Sequence, residues 1–442
     1  MAGYGDHEAI DVEDLIRDLQ RKVSVEMAMP SRCSIFKIPT ILSRHNQNAF
    51  SPNAFSFGPF HHDKHALKPT EKIKSKYLLG LISRLSHIDP SNHISPDTTL
   101  RNLTEALRDV QEQALEYYAE PIGMSEYKFL EILVLDGCFI IELLRKKSYL
   151  NLREENDPIF SMSCMLQFLH HDLILLENQM PWFVLEILFD LTKTTPLDTK
   201  PLVELVIDFF GTIFSTTPMS IQPLLSLNPN HASKHILDLL RNLLVSNSNK
   251  RKQKSLAWKP MLSAEQLKDS GIQFRKDLAS ESLLDIKFCK NKGILSIPTL
   301  LVQETTETVF RNLISLEQCC PNYEPIVTSY AVLLDNLINT NTDLQILIKS
   351  GAIISWLNVE DGTRFFNRLY LDTYVKENYY LQLTNEVDNY IYCQRRLLNR
   401  YRRVLVRDYF KNPWLNISVN AAFIVLVLIL LHTVFTIINI KG

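Results

Sequence analysis

The sequence predicts a mainly α-helical protein: a large helical soluble domain with a small β-hairpin element, followed by one C-terminal transmembrane helix. Three observations predict it. Glycine is scarce, at 12 of 442 residues, whereas phosphate-cradling loops and doubly wound sheets use glycine freely. Apolar residues return at three- and four-residue spacing in successive segments, the mark of helices with one buried face. Finally, no Asp, Glu, Lys or Arg occurs from Asn412 to Ile440.

In chain order, residues 1–29 form an N-terminal unit holding an amphipathic helix over 8–29, with Ile10, Leu15, Leu19 and Val23 near one face. Residues 30–411 form the soluble domain. Its opening stretch, 30–69, is loop-rich, and residues 35–38 read as a short strand. Helices are expected at 70–85 and at 100–118, where Leu100, Leu103, Leu107, Val110 and Ala114 keep helical spacing. Two apolar stretches, 129–144 and 173–191, contain Asp136 and Glu177 among other carboxylates. Each such group would cost about 2.5–3.5 kcal/mol at a bilayer centre, so both read as core helices. The polar run 246–255 reads as a linker. Alternation over 283–288, a turn at Asn291-Lys292-Gly293 and a strand-like run at 294–302 predict a hairpin. A long helix over 378–410 carries Tyr380, Leu383, Val387, Ile391, Leu398 and Tyr401 at near-heptad spacing.

Residues 412–442 supply the anchor, with the span at Ile417 to Ile438, since about 20 apolar residues cross a roughly 30 Å hydrocarbon core. Its approach is basic: Arg395, Arg396, Arg400, Arg402, Arg403, Arg407 and Lys411. The positive-inside rule then places the bulk of the chain in the cytosol; the position of the span implies a tail-anchored protein inserted after translation, expected in the plasma membrane rather than the endoplasmic reticulum. The start carries no apolar run and hence no signal peptide.

Hydrophobic residues make up 46% and charged residues 22%, with a net charge of -2, so nothing in bulk attracts nucleic acid. The seven cysteines, Cys33, Cys138, Cys164, Cys289, Cys319, Cys320 and Cys393, form no C-x-x-C pair and read as reduced thiols. Phosphate-loop, dinucleotide, nucleophile-elbow and zinc-protease motifs are missing from the sequence, so no catalytic, cofactor or metal site is assigned. His61, His62 and His65 beside Asp63 could bind zinc, but a surface or hydrogen-bonding role is preferred. His170-His171-Asp172 reads as a helix entrance, with Asp172 near an N-terminal dipole. Asp136, Glu177, Asn178 and Gln179 read as a buried polar network that also draws on Arg311, Asn312 and Gln318 and fixes how helices pack.

Several of these motifs resemble the plant family known as domain of unknown function 247. The resemblance runs through Ile35-Phe36-Lys37-Ile38-Pro39, Ala54-Phe55-Ser56-Phe57-Gly58-Pro59-Phe60-His61-His62, Leu135-Asp136-Gly137-Cys138-Phe139 and Leu176-Glu177-Asn178-Gln179-Met180-Pro181. It continues through Arg311-Asn312-Leu313-Ile314, Leu316-Glu317-Gln318-Cys319, Asp335-Asn336-Leu337-Ile338 and Arg407-Asp408-Tyr409-Phe410-Lys411-Asn412-Pro413-Trp414. Phe57, Phe60 and Asp63 depart from the family's usual Ile, Tyr and Gly. The resemblance implies a plant origin and a membrane location, and some grass members are linked to pollen–stigma self-incompatibility; it implies no agreed catalytic activity. The reading is a membrane-tethered interaction or signalling component, with a protein partner or a second copy engaged through the juxtamembrane helix. The alternatives are an enzyme with an unrecognised site, or a receptor-like domain of inverted topology, which would present Asn102-Leu103-Thr104 for glycosylation.

Overall fold

The structure, a computed structural model, describes residues 12–24, 32–86, 95–194, 199–214, 233–246, 248, 255–280, 282–405 and 413–441. The chain forms two compact units. The first comprises Met1–Asn247, Gln303–Thr328 and Arg368–Tyr374, and the second Ser248–Val302, Ser329–Asn367 and Val375–Gly442. Most of the expected linker, 247 and 249–254, lies outside the described residues.

Within the first unit the described helices are α1 (Val12–Ser24), α2 (Thr40–Ser43), α3 (Lys68–Ser86), α4 (Pro96–Arg108), α5 (Gln111–Leu115), α6 (Glu126–Ser148), α7 (Ser163–Asp172), α8 (Trp182–Leu191), α9 (Leu202–Phe210) and α10 (Ile236–Ser246). Helix α6 is the central one, packing on α3, α4, α8 and α9. Ser125 caps it by accepting from the Lys128 amide, and Arg145, Lys146 and Lys147 in its last turn suit the negative end of the helix dipole. It is buried on nearly every side, which is why its sequence reads as apolar all round. Gly137 is the exception in size. A Cβ there would overlap Leu188 of α8, so the missing side chain lets the two helices close.

Two expected helices are divided. The 100–118 stretch becomes α4 and α5, with Asp109 and Val110 between them. The 173–191 stretch is helical only from Trp182 onward. Before it, Asn178 and Gln179 turn their side-chain amides onto the carbonyls of Asp172, Leu173 and Leu175. Those bonds compete with helical ones, and Pro181 fixes where the helix starts.

Helix α11 (Ala264–Asp269) opens the regular structure of the second unit, which holds a three-stranded sheet of order β1 (Gln273–Asp277), β3 (Ile294–Pro298), β2 (Lys287–Cys289). The expected hairpin is present as antiparallel β2 and β3, turning through Gly293 at φ +65. The 294–302 run divides at Thr299, and β4 (Leu300–Val302) pairs in parallel with β5 (Ile353–Ser355). Strand β1, parallel to β3, was not expected, because Gln-Phe-Arg-Lys-Asp is almost entirely polar and mostly exposed. Helix α12 (Thr306–Cys319) returns to the first unit, and α13 (Ile326–Leu337), α14 (Asn341–Lys349), α15 (Val359–Phe366) and α16 (Leu381–Leu405) follow in the chain. On α16, Tyr380 just before the helix and Leu383, Val387 and Ile391 within it are buried. That part of the near-heptad stripe is thus occupied by its own chain; the side chains of Leu398 and Tyr401 lie outside the described residues.

The C-terminal transmembrane helix is the expectation that the structure overturns. The segment is helical, α17 (Pro413–Lys441), but among the described residues no helix is long and apolar enough to cross a membrane. Asn420 and His432 interrupt its apolar sequence. Between Asn420 and His432 the uninterrupted apolar run rises about 16 Å at 1.5 Å per residue, little more than half of a roughly 30 Å hydrocarbon core. The span at Ile417 to Ile438, and the tail anchor inferred from it, therefore have no support. Of the basic approach, Arg395, Arg396, Arg400, Arg402 and Arg403 lie on α16, and Arg407 and Lys411 fall outside the described residues.

Candidate functional site

Four separate stretches of the first unit meet in one buried polar junction: residues 53–61, residues 172–178, α6 and α3. The first is residues 53–61, an extended segment with no helix of its own. Extended backbone carries unpaired donors and acceptors, and burying them requires partners from elsewhere. Asp172 takes three: the amide of Asn53 donates to Oδ1 at 2.7 Å, and those of Ala54 and Phe55 to Oδ2 at 2.9 and 2.7 Å. Asn178 behaves like a neighbouring strand. Its Oδ1 accepts from the Phe57 amide at 2.7 Å and its Nδ2 donates to the Phe55 carbonyl at 3.0 Å. Asp136, from the middle of α6, accepts from the Gly58 amide at 2.9 Å and from Lys74 Nζ at 2.6 Å. Lys74, fully buried on α3, also donates to the Ser56 carbonyl at 2.5 Å and pairs with Glu71 at 2.7 Å.

Apolar packing closes the same segment. Phe55 and Phe57 stack on Phe139 of α6 at 5.4 and 5.9 Å, which is why aromatic residues alternate with the small Ser56 and Gly58. Gly58 has φ +68, and a Cβ would lie 2.7 Å from the Gln179 carbonyl oxygen. Both features demand glycine. Gly58→Ala is expected to cost about 2 kcal/mol or more from backbone strain and the clash, read as a lowered urea midpoint with an unchanged slope.

Glu177 and Gln179 extend the junction. Glu177 accepts from the Ile38 amide at 2.6 Å. Its second oxygen lies 3.1 Å from His61 Nε2. Gln179 accepts from the Leu237 amide at 3.1 Å, and its own carbonyl accepts from the Tyr118 hydroxyl at 3.2 Å. Asn312 of α12 joins them, accepting from the Leu176 amide and donating to Ala49 O.

Burial pushes the Asp136 carboxyl up to about 6, with Lys74 limiting the rise. Burial also acts to raise Glu177, but His61 and the Ile38 amide outweigh it and hold the carboxyl below the ordinary range. The signs therefore differ. Asp136, raised from 3.8 to about 6, adds stability that is full below the unfolded value and is lost as pH rises through the folded one. Glu177 adds stability present above its unfolded value of 4.5 and lost on acidification. Taken from about pH 7 to about pH 5, the wild type should gain stability relative to Asp136→Asn, measured by urea titration at each pH.

The sequence-predicted residues divide accordingly. Asp136, Glu177, Asn178 and Gln179 come together. Arg311 and Gln318 do not: Arg311 pairs with Glu307 and donates to the Arg368 carbonyl, and Gln318 accepts from the Tyr374 amide. Both hold the 368–374 stretch. Asp172 closes α7 instead of opening a helix, so it serves the 53–55 amides and not a dipole. His61 contacts Glu177, while His62 is held low by burial. Among the described residues no three His, Cys, Asp or Glu side chains are grouped to hold a metal. Lys74 was missed, although Thr70, Lys74, Tyr77 and Leu81, all buried, fall on one helical face. Burial drives the thiols of Cys33, Cys138 and Cys319 up to about 11, 12 and 12, leaving them protonated and poorly nucleophilic at neutral pH.

Several of the motifs on which the family resemblance rests, among them 54–62, 135–139 and 176–181, converge on this junction. The chain belongs to the plant protein family of unknown function DUF247, whose model matches residues 35–428. Two Arabidopsis thaliana proteins are similar along most of their length. UPF0481 protein At3g47200 is 25% identical, covering 94% of this chain and 88% of its own. Putative UPF0481 protein At3g02645 is 22% identical, covering 90% and 89%. No solved structure matches the chain.

Proposed function

We propose that this chain is a protein-interaction component, in which the buried junction maintains the scaffold and exposed side chains do the binding. One observation carries the reading: the carboxylates suited to acid–base work are engaged by the chain's own backbone, Asp172 by three amides, Asp136 by Gly58 and Glu177 by Ile38. A general base must reach a substrate proton, whereas these groups hold the 38 and 53–58 segments in place. Large side chains elsewhere stand free for contact, including Tyr127 at 80% and Trp356 at 73% exposure.

The test is proximity labelling in a complemented plant line. His61→Gln and Glu177→Gln chains, compared at equal folded content by circular dichroism, should label the same neighbours as wild type. Tyr127→Ser or Trp356→Ser should lose a subset while folding normally. The reverse pattern, with function lost in the folded junction variants and unchanged in the surface variants, points to an enzyme and overturns the proposal.

A further inference from the structure

Helix α3 gathers lysines on its solvent face. Lys68 and Lys72 are exposed, and among the described residues neither has an ionic partner. Lys76 continues the row one turn on, shared with Glu154 at 3.4 Å but still 49% exposed. The same spacing reaches back to exposed Lys64, which also acts on Glu177. Four residues of helix rise about 6 Å, so the row repeats at that interval. The one acid of the helix, Glu71, pairs with buried Lys74 and not with the row. Leu79, 65% exposed, follows Lys76 on the same face. This arrangement works against the helix itself. Like charges one turn apart repel, and Lys68 opens α3 at the positive end of its dipole. The whole chain has a net charge of -2, so composition does not force cations onto one face.

We propose that this face docks an acidic protein segment, with carboxylates about 6 Å apart and an apolar side chain that covers Leu79. Charge complementarity specifies the carboxylates. They neutralise a repulsion that the free helix bears, and the field of the lysine row steers their approach. Leu79 specifies a protein and not a bilayer. It is the one large apolar side chain exposed on α3, and interfacial membrane binding scales with the apolar area that enters the lipid. A small apolar contact beside a charged rim is instead the anatomy of a protein interface. From Lys68 to Leu79 the face runs about 16 Å along the helix, so the contact is small and the complex weak.

The proposal gives the partner's chemistry for the interaction reading, on which it rests, and its test can fail while that reading stands. The full chain is titrated into a fluorescein-labelled peptide with glutamate at every fourth position and a leucine after the last, followed by anisotropy. Wild type should bind it, with affinity falling between about 50 and 200 mM salt. The same peptide with glutamine for glutamate should not bind. Lys68→Gln with Lys72→Gln should weaken binding about tenfold or more, and Leu79→Ser should weaken it at every salt concentration. The double lysine variant should melt at or above the wild-type temperature, because it removes charge repulsion. A melt well below wild type makes the lysines part of the scaffold and overturns the proposal. So does equal binding of the glutamine peptide, undiminished binding by the double variant, or no binding by wild type. Preference for phosphatidylcholine vesicles with about 30% phosphatidylserine over the peptide also overturns it, in favour of a lipid surface. Neighbours that still depend on Tyr127 or Trp356 in proximity labelling leave the interaction reading intact after any of these failures.

Discussion

Asp172→Ala should be the most damaging single substitution in the first unit, lowering its stability by about 3–6 kcal/mol. The carboxylate is fully buried and receives three backbone amides together with an imidazole contact from His171 at 2.9 Å. Removing it strands three donors at once, and each buried group left without a partner costs about 1–3 kcal/mol. Folded domains hold only about 5–15 kcal/mol in all, so the variant should be largely unfolded at moderate temperature. Asp172→Asn should fare little better, because its amide turns one acceptor into a donor that faces donors. Urea unfolding gives the magnitude. Hydrogen exchange at Asn53, Ala54 and Phe55 gives the mechanism, since those amides should exchange faster even where the rest of the unit is protected. A loss under about 1 kcal/mol would mean that the segment finds other partners and that the junction is not held from Asp172.

Why Asp172 escaped a reading of the sequence alone is instructive. Helical spacing pointed to α3, and an apolar run whose carboxylates rule out a bilayer pointed to α6. Neither gave any hint that the carboxylate closing α7 would reach a segment over a hundred residues earlier, since hydrogen bonds of that kind leave no periodicity. Asp136 and Glu177 were recognisable as polar residues in apolar runs, and so was the idea of a network. Its extended partner at 53–58 was visible only as a motif. The 173–181 stretch misled for a related reason. Leu173 to Leu176 look helical, but Asn178 and Gln179 satisfy the backbone by another route. Gly137 and Gly58 show the same limit, as each answers to a neighbour distant in the chain, Leu188 and Gln179 respectively. The C-terminal run differs: its freedom from charge suggested a span, but among the described residues no helix is long and apolar enough to cross a membrane.

Lys74 and Asp136 should behave as a strongly coupled pair. Lys74→Met alone leaves a buried carboxylate with only the Gly58 amide, and Asp136→Leu alone leaves a buried ammonium with the Ser56 carbonyl and the partly exposed Glu71. Breaking a buried pair from one side typically costs about 3–5 kcal/mol, because the surviving charge is uncompensated. The double variant carries no such charge. What it still loses is backbone satisfaction: the Gly58 amide and the Ser56 carbonyl each go without a partner, at about 1–3 kcal/mol apiece. Its total should therefore match one single variant, not the sum of two. A double-mutant cycle in urea should return a coupling of about 3–5 kcal/mol, the loss in one single variant. Additive losses would show that the two side chains act independently. A double variant as stable as wild type would show that the ion pair contributes nothing net and that residues 56–58 do not depend on it. The expected intermediate result gives the pair a definite role, that of anchoring an extended segment whose backbone has no secondary structure of its own to bond with.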